Sequence, residues 1–282
     1  MDTEKGNHSS NDIHDDSQSN DTVPSPLPVR LISAGAFTLL AIVALVLPVS
    51  PSVYVKLAFS LVLLAGCLVF LTGASRLLAP AVFLTLAYIV RCLPFYSLFL
   101  MLAAPLAIYG LLVLWLPALH PGRRGFTMGR IEKGPLLITV VGTVLSVTGL
   151  VVWYITGDVD FSGFTDAFSD RATFVVILGG LLFSVVNIPV SETVFRGVMW
   201  QGIEECVHSA LPVVVIQGLL YGAAHYWGAI PNGWEGAILS GIYGLFLGVV
   251  RHTSKGLLLP MISHLCIDIG ILVLVLHSLE RL

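Results

Sequence analysis

The sequence predicts an all-α fold, a polytopic transmembrane helix bundle of eight or nine spans, from three observations. Charged residues are only 11% of the 282 residues, against about 25% in ordinary soluble domains. Hydrophobic residues reach 56%, and the mean hydropathy is +0.91. Apolar runs of roughly 17 to 25 residues, the length that crosses a bilayer as a helix, recur from Leu31 onward. A soluble globular class is excluded.

Residues 1–28 hold six acidic residues and one base, Lys5. They have Ser, Asn, Asp and Gln around Asn11 to Asn20, then Pro24, Pro26 and Pro28, with no apolar periodicity. Such a stretch cannot bury enough apolar surface to order itself, so it reads as a disordered polar tail. It lacks the basic start and directly following apolar region of a signal peptide. Spans are then expected near 29–49, 54–74, 76–91, 94–118 and 134–156, an N-terminal set of helices over 29–156. A C-terminal core over 172–278 follows, with spans near 172–190, 210–228, 236–250 and 256–278. The segment 76–91 is short, contains Pro80 and ends at Arg91, which suits a tilted or re-entrant helix.

Loop charge orients the bundle. Arg123, Arg124, Arg130 and Lys133 place the loop Leu119 to Lys133 on the cytoplasmic side, because basic loops stay there. The acidic loop Gly157 to Arg171 then lies on the opposite side, and Arg251 and Lys255 return to the first. With nine spans the N-terminus is cytoplasmic and the C-terminus outside. An integral multi-pass protein of the cytoplasmic membrane is expected, with the lipid bilayer as its surroundings and no nucleic-acid partner. Cys67, Cys92, Cys206 and Cys266 have no CxxC spacing and read as packing residues. Gly218 with Gly222, and Gly244 with Gly248, are small-xxx-small pairs that permit close helix approach.

Three pairs of polar or ionisable residues at helical i, i+4 spacing lie within the apolar C-terminal third: Glu192 with Arg196, Tyr221 with His225, and His264 with Asp268. Residues four apart share a helix face. An ionisable group at membrane depth costs about 2.5 to 3.5 kcal/mol even on a mild insertion scale, so three helices are expected to turn these patches toward one interior pocket. Pro189 reads as the first turn of a new helix, which puts Glu192 near an N-terminus. Its carboxylate pairs there with Arg196, since a buried charge is tolerated only when satisfied. His264 lies about 12 Å into the last run at 1.5 Å per residue, where Asp268 can fix one tautomer of its imidazole or pair with it as a cation.

A carboxylate and two histidines on separate helices either activate water by general base catalysis or hold a divalent metal such as zinc with an open position. Spacing alone leaves both open. The chain has no HExxH, no GxSxG and no paired intramembrane aspartates, so serine and aspartyl intramembrane mechanisms lack support.

At these residues the chain resembles the CAAX prenyl endopeptidase and bacteriocin-processing family of intramembrane proteases, over roughly residues 172 to 276. The family shows EExxxR, FxxxH and HxxxN or HxxxD in that order. Here Ser191-Glu192-Thr193-Val194-Phe195-Arg196-Gly197, then Tyr221 and His225, then His264 and Asp268 align with them. The glycine-rich helix Gly241 to Gly248 and the segment Gly256 to Pro260 also look like the family. The resemblance implies an endopeptidase that hydrolyses a peptide bond of a membrane-anchored protein or peptide substrate with activated water. It implies catalytic roles for Glu192, Arg196, His225, His264 and Asp268.

The chain departs from the pattern at Ser191, where the family has the first glutamate, thought to activate water with the histidine matching His225. Glu192 matches the second glutamate, which supports the arginine. Adjacent helix positions point about 100° apart, so Glu192 reaches the lost position only through a local kink, for which Pro189 is the available source. Ser191 also opens the alternative of a non-catalytic member acting as a membrane scaffold, immunity or regulatory factor. Glu204 and Glu205 lie roughly 20 Å along the helix from Ser191 and are expected at a membrane surface, not as replacements. Tyr221 stands where the family usually has phenylalanine and adds a hydroxyl.

Overall fold

A computed structural model describes residues 26–46, 77–91, 98–157, 170–227 and 231–280. Among them are nine α-helices and no strand. They are α1 (Leu27–Ala41), α2 (Leu78–Arg91), α3 (Leu98–Trp115), α4 (Lys133–Thr156), α5 (Thr173–Glu192), α6 (Trp200–Val207), α7 (Ala210–His225), α8 (Gly233–Ser254) and α9 (Leu258–Ser278). A π-helical turn, Ile42–Val46, extends α1, and a second, Thr193–Met199, joins α5 to α6. Five stretches are long and apolar enough to cross a bilayer: Leu27–Val46, Lys133–Thr156, Thr173–Val207, Gly233–Ser254 and Leu258–Ser278. Leu78–Arg91, Leu102–Trp115 and Ala210–His225 are shorter apolar helices. The expected span at 54–74 and residues 1–25 of the tail lie outside the described residues, and Leu27 and Pro28, expected in the tail, instead open α1.

The short helix at 78–91 packs Phe83, Leu84 and Ala87 fully inside. The Arg91 guanidinium donates to the Ala44 carbonyl at 2.8 Å, satisfying an oxygen of the first π turn. Arg30 does the same for the end of α6, donating to the Cys206 and Val207 carbonyls at 3.3 and 3.0 Å. These cations complement the unpaired carbonyls that every helix end leaves.

One expectation is corrected. Pro189 does not begin a helix: α5 runs through it, and the π turn and α6 carry the helix on to Val207. Proline inside a transmembrane helix is tolerated because neighbouring helices and local π adjustments satisfy the freed backbone groups. The residues after it, Ser191 to Ile203, are all buried, which is the pattern of a helix surrounded by others. Glu192 therefore sits deep in a continuous 35-residue helix and not at an N-terminus.

The α7 and α8 helices pack more closely than any other pair among the described residues. A Cβ on Gly222 would meet the Ala237 carbonyl and the Gly241 backbone, and one on Gly244 would lie 3.0 Å from the Gly218 carbonyl. The small-residue pairs thus sit at the helix contact, as their spacing predicts. On the basic side, the loop after α3 is a 3₁₀ turn, Pro117–Phe126, followed by an extended clip. Arg130 N–H donates to the Ser254 carbonyl at 2.8 Å, and Leu257 and Leu258 N–H donate to Thr127 and Met128 at 2.9 and 3.0 Å. Gly129, at φ +81°, passes against Gly256, where no side chain fits. The two basic loops are therefore on one side of the bundle, in keeping with their charge.

Candidate functional site

The site begins with the helix that runs through Pro189. Glu192 ends α5, Arg196 follows in the π turn, and both are sealed from solvent at 0% exposure. One oxygen of Glu192, Oε1, accepts from Arg196 Nη1 at 3.3 Å and from His264 Nδ1 at 2.7 Å. The charge pair is local to one helix, whereas the shorter bond comes from α9. On the far side of the imidazole, Nε2 lies 3.6 Å from Asp268 Oδ1, an ionic approach longer than a hydrogen bond. Glu192, not Asp268, is thus the group that fixes the His264 ring.

Arg196 is held from two further directions. Its Nη2 points at the Gly244 carbonyl of α8, 3.4 Å away, an oxygen that also accepts from Gln217 Nε2 at 2.9 Å. Its guanidinium lies over the Tyr221 ring, 4.2 Å from the centroid, a cation–π contact strengthened by the absence of water.

His225 ends α7 and is only part-buried. Its Nδ1 is 2.9 Å from the Tyr221 backbone carbonyl. A carbonyl can only accept, so Nδ1 carries the hydrogen, and in the neutral ring the lone pair is on Nε2. The Tyr221 ring centroid lies 4.4 Å from that of His225 and 6.3 Å from that of His264. Tyr221 is therefore the bridge between His225 and the cluster of Glu192, Arg196, His264 and Asp268. All five residues singled out from the sequence face one interior, from the α5 to α6 helix, α7 and α9.

Three buried atoms of the cluster, Glu192 Oε2, Arg196 Nε and Asp268 Oδ2, have no partner among the described residues. Buried polar atoms in native proteins nearly always have one, from protein, water or ligand, so the interior is suited to polar guests. Among the described residues no three His, Cys, Asp or Glu side chains come together as a metal-binding group. Glu204 is exposed, and Glu205 approaches Arg124 at 4.0 Å on the basic side, so neither joins the site.

Sequence reasoning missed a second layer. The Ser263 hydroxyl, next to His264 in the chain, meets Thr143 Oγ1 at 2.7 Å and the Tyr243 hydroxyl at 3.1 Å. The Tyr243 ring stands edge-on to His264 with centroids 6.2 Å apart. Lone hydroxyl residues in apolar helices carry no motif, so nothing in the sequence singled these out. Gln217 did leave a signal: it lies one turn before Tyr221 and two before His225, on the same helix face.

Residues 172–270 match the family model described as type II CAAX prenyl endopeptidase Rce1-like. This part of the chain is an Rce1-like domain, in agreement with the motif order, and it contains every residue of the polar cluster. No match was found among curated proteins or among solved structures.

Proposed function

We propose that the protein is an intramembrane endopeptidase that hydrolyses a peptide bond of a membrane-associated protein or peptide, in the cytoplasmic membrane. The observation that carries this reading is the contrast between His225 and Glu192. His225 is part-exposed and has an uncommitted Nε2, while Glu192 is sealed and spends its charge on Arg196 and His264.

His225 is then the base. Its Nε2 takes a proton from water as the water oxygen bonds to the carbonyl carbon of the substrate. The carbonyl π electrons move to oxygen and give a tetrahedral oxyanion. Collapse of that intermediate breaks the C–N bond, and the proton held by His225 passes to the leaving amine. His264, fixed through Nδ1 by Glu192, directs Nε2 toward Asp268 without completing a hydrogen bond at 3.6 Å, and when protonated there it can turn that donor to the oxyanion. Glu192 and Arg196 are positioning residues in this account. Burial of the cluster excludes bulk water and strengthens each electrostatic contact.

The test is cleavage of a library of membrane-anchored peptides by the purified full chain in lipid bicelles. A positioned general base contributes about 10²- to 10⁴-fold, so His225→Ala should lose at least two orders of magnitude while staying folded. Unchanged cleavage in that variant would sink the mechanism. A wild type that cleaves nothing, but binds a membrane partner through the same interior, would favour the scaffold alternative that Ser191 motivates.

A further inference from the structure

Between α4 and α8 lies an apolar groove of about 380 Å³, lined by Leu137, Ile138, Val141, Gly142 and Phe246. Its floor is the Phe246 ring packed against Gly142, where an added Cβ would run into the ring. Leu137, Ile138 and Val141 are exposed, and both helices are long and apolar enough to cross a bilayer. Their open surface therefore meets hydrocarbon, and the groove takes no part in the polar interior.

Helix rise fixes the level of the groove. From Lys133 to Gly142 along α4, and from Phe246 to Lys255 along α8, there are nine residues, or about 14 Å at 1.5 Å per residue. The two routes agree because Gly142 and Phe246 touch, and because the Arg130 N–H donates to the Ser254 carbonyl at 2.8 Å where the helices reach the basic side. The groove thus starts at Leu137, about 6 Å below Lys133, and stops at Gly142. Half of a hydrocarbon core of about 30 Å is about 15 Å, so the groove lies within one leaflet, on the basic side. A partner helix crossing the bilayer would need a seat through both leaflets. A single acyl chain needs only one.

The mouth of the groove is charged. Arg130, Lys133 and Lys255 are exposed there, and Glu132 lies 4.0 Å from Arg130 and offsets part of their charge, leaving a net +2. Basic residues at a membrane surface attract anionic lipid headgroups, whereas a zwitterionic headgroup brings no net charge to them. We infer that this chain carries a site for an anionic phospholipid of the basic-side leaflet, with one acyl chain in the α4–α8 groove and the headgroup among Arg130, Lys133 and Lys255. The site is separate from the polar cluster and stands whether or not the chain is an endopeptidase.

The test is photolabelling of the full-length chain in phosphatidylcholine nanodiscs with phosphatidylglycerol that carries a diazirine in one acyl chain. Labelled peptides should hold Leu137 to Gly142 and Phe246, in excess over the exposed α5 surface at Leu178 and Leu182. Phosphatidylcholine with the same diazirine chain should label the groove no more than it labels α5. One basic residue near the surface is worth about fivefold in affinity, so Lys133→Gln and Lys255→Gln should each raise about fivefold the unlabelled phosphatidylglycerol needed to halve the labelling. Val141→Trp fills the groove from its open side and should remove most of the labelling, while glycerol phosphate, the headgroup chemistry without chains, should not compete. Equal labelling by the two lipids, labelling spread evenly over α5, indifference to both lysine changes, or competition by glycerol phosphate would each overturn the inference. A second copy seated in the groove would overturn it too, and would show as an unlabelled groove in a chain of dimeric mass.

Discussion

Replacing Glu192 by Gln removes one charge and keeps the shape, so it isolates what the carboxylate does for the fold. In the wild type Arg196 has a charged partner at 3.3 Å, a distant carbonyl at 3.4 Å and the Tyr221 ring, while its Nε has no partner among the described residues. In Glu192→Gln the guanidinium stays in place, sealed from solvent, with only the carbonyl, the ring and a neutral amide oxygen. His264 loses its 2.7 Å anionic acceptor in the same step. Removing one member of a buried ion pair costs about 3 to 5 kcal/mol, because the other charge is left uncompensated. At 1.4 kcal/mol per factor of ten, that is about 100- to 4,000-fold in the unfolding equilibrium. Arg196→Met in the Glu192→Gln background removes the stranded charge and should recover much of the loss. The assay is equilibrium unfolding in bicelles against increasing denaturing detergent, for wild type, both single variants and the double. A Glu192→Gln protein as stable as wild type, or a double variant whose loss is the sum of the singles, would refute the claim that these two groups are charged partners.

Two further predictions concern packing and helix ends. At Gly197 an added methyl would run into the Gly125 carbonyl oxygen, a backbone atom that cannot rotate away. Overpacking costs about 1 to 3 kcal/mol against about 1 kcal/mol gained from helix propensity, so Gly197→Ala should be net destabilising, by about 1 kcal/mol, in the same unfolding assay. Gly149→Ala is its control, because nothing lies within 4 Å of that Cβ, and it should be neutral or slightly stabilising. Arg30→Ala removes both side-chain bonds to the end of α6. It should cost about 1.5 to 3 kcal/mol, the range for hydrogen bonds from a charged donor, and speed proteolytic cutting near His208, whereas an unchanged cutting pattern would show that the cap is unimportant.

The helices were legible because each is written locally. Apolar run length, the basic loops and the glycine pairs of α7 and α8 are properties of neighbouring residues, and the described helices fall where those properties put them, except that the helix expected near 172–190 runs on to Val207. The Glu192–Arg196 pair was legible for the same reason: four residues apart on one helix, the two side chains meet whatever else the chain does. His264 and Asp268 share a face by the same rule, and both pairs lie within the Rce1-like match over residues 172–270. The limits show at Pro189, where proline chemistry in water suggested a helix start. The bilayer reverses that preference by making an interrupted backbone costlier than a distorted helix.

Only the tertiary structure decided which partner each group holds. The strongest bond of His264 is to Glu192, 72 residues away in sequence, and the Arg196 guanidinium lies over the Tyr221 ring of a different helix. Contacts of this kind depend on the rotation of one helix against another. Side-chain volumes at the α7–α8 contact and the phase shift of the Thr193–Met199 π turn set that rotation. A periodicity of 3.6 residues fixes which side chains share a face, but the direction that face points is a property of the packed bundle as a whole.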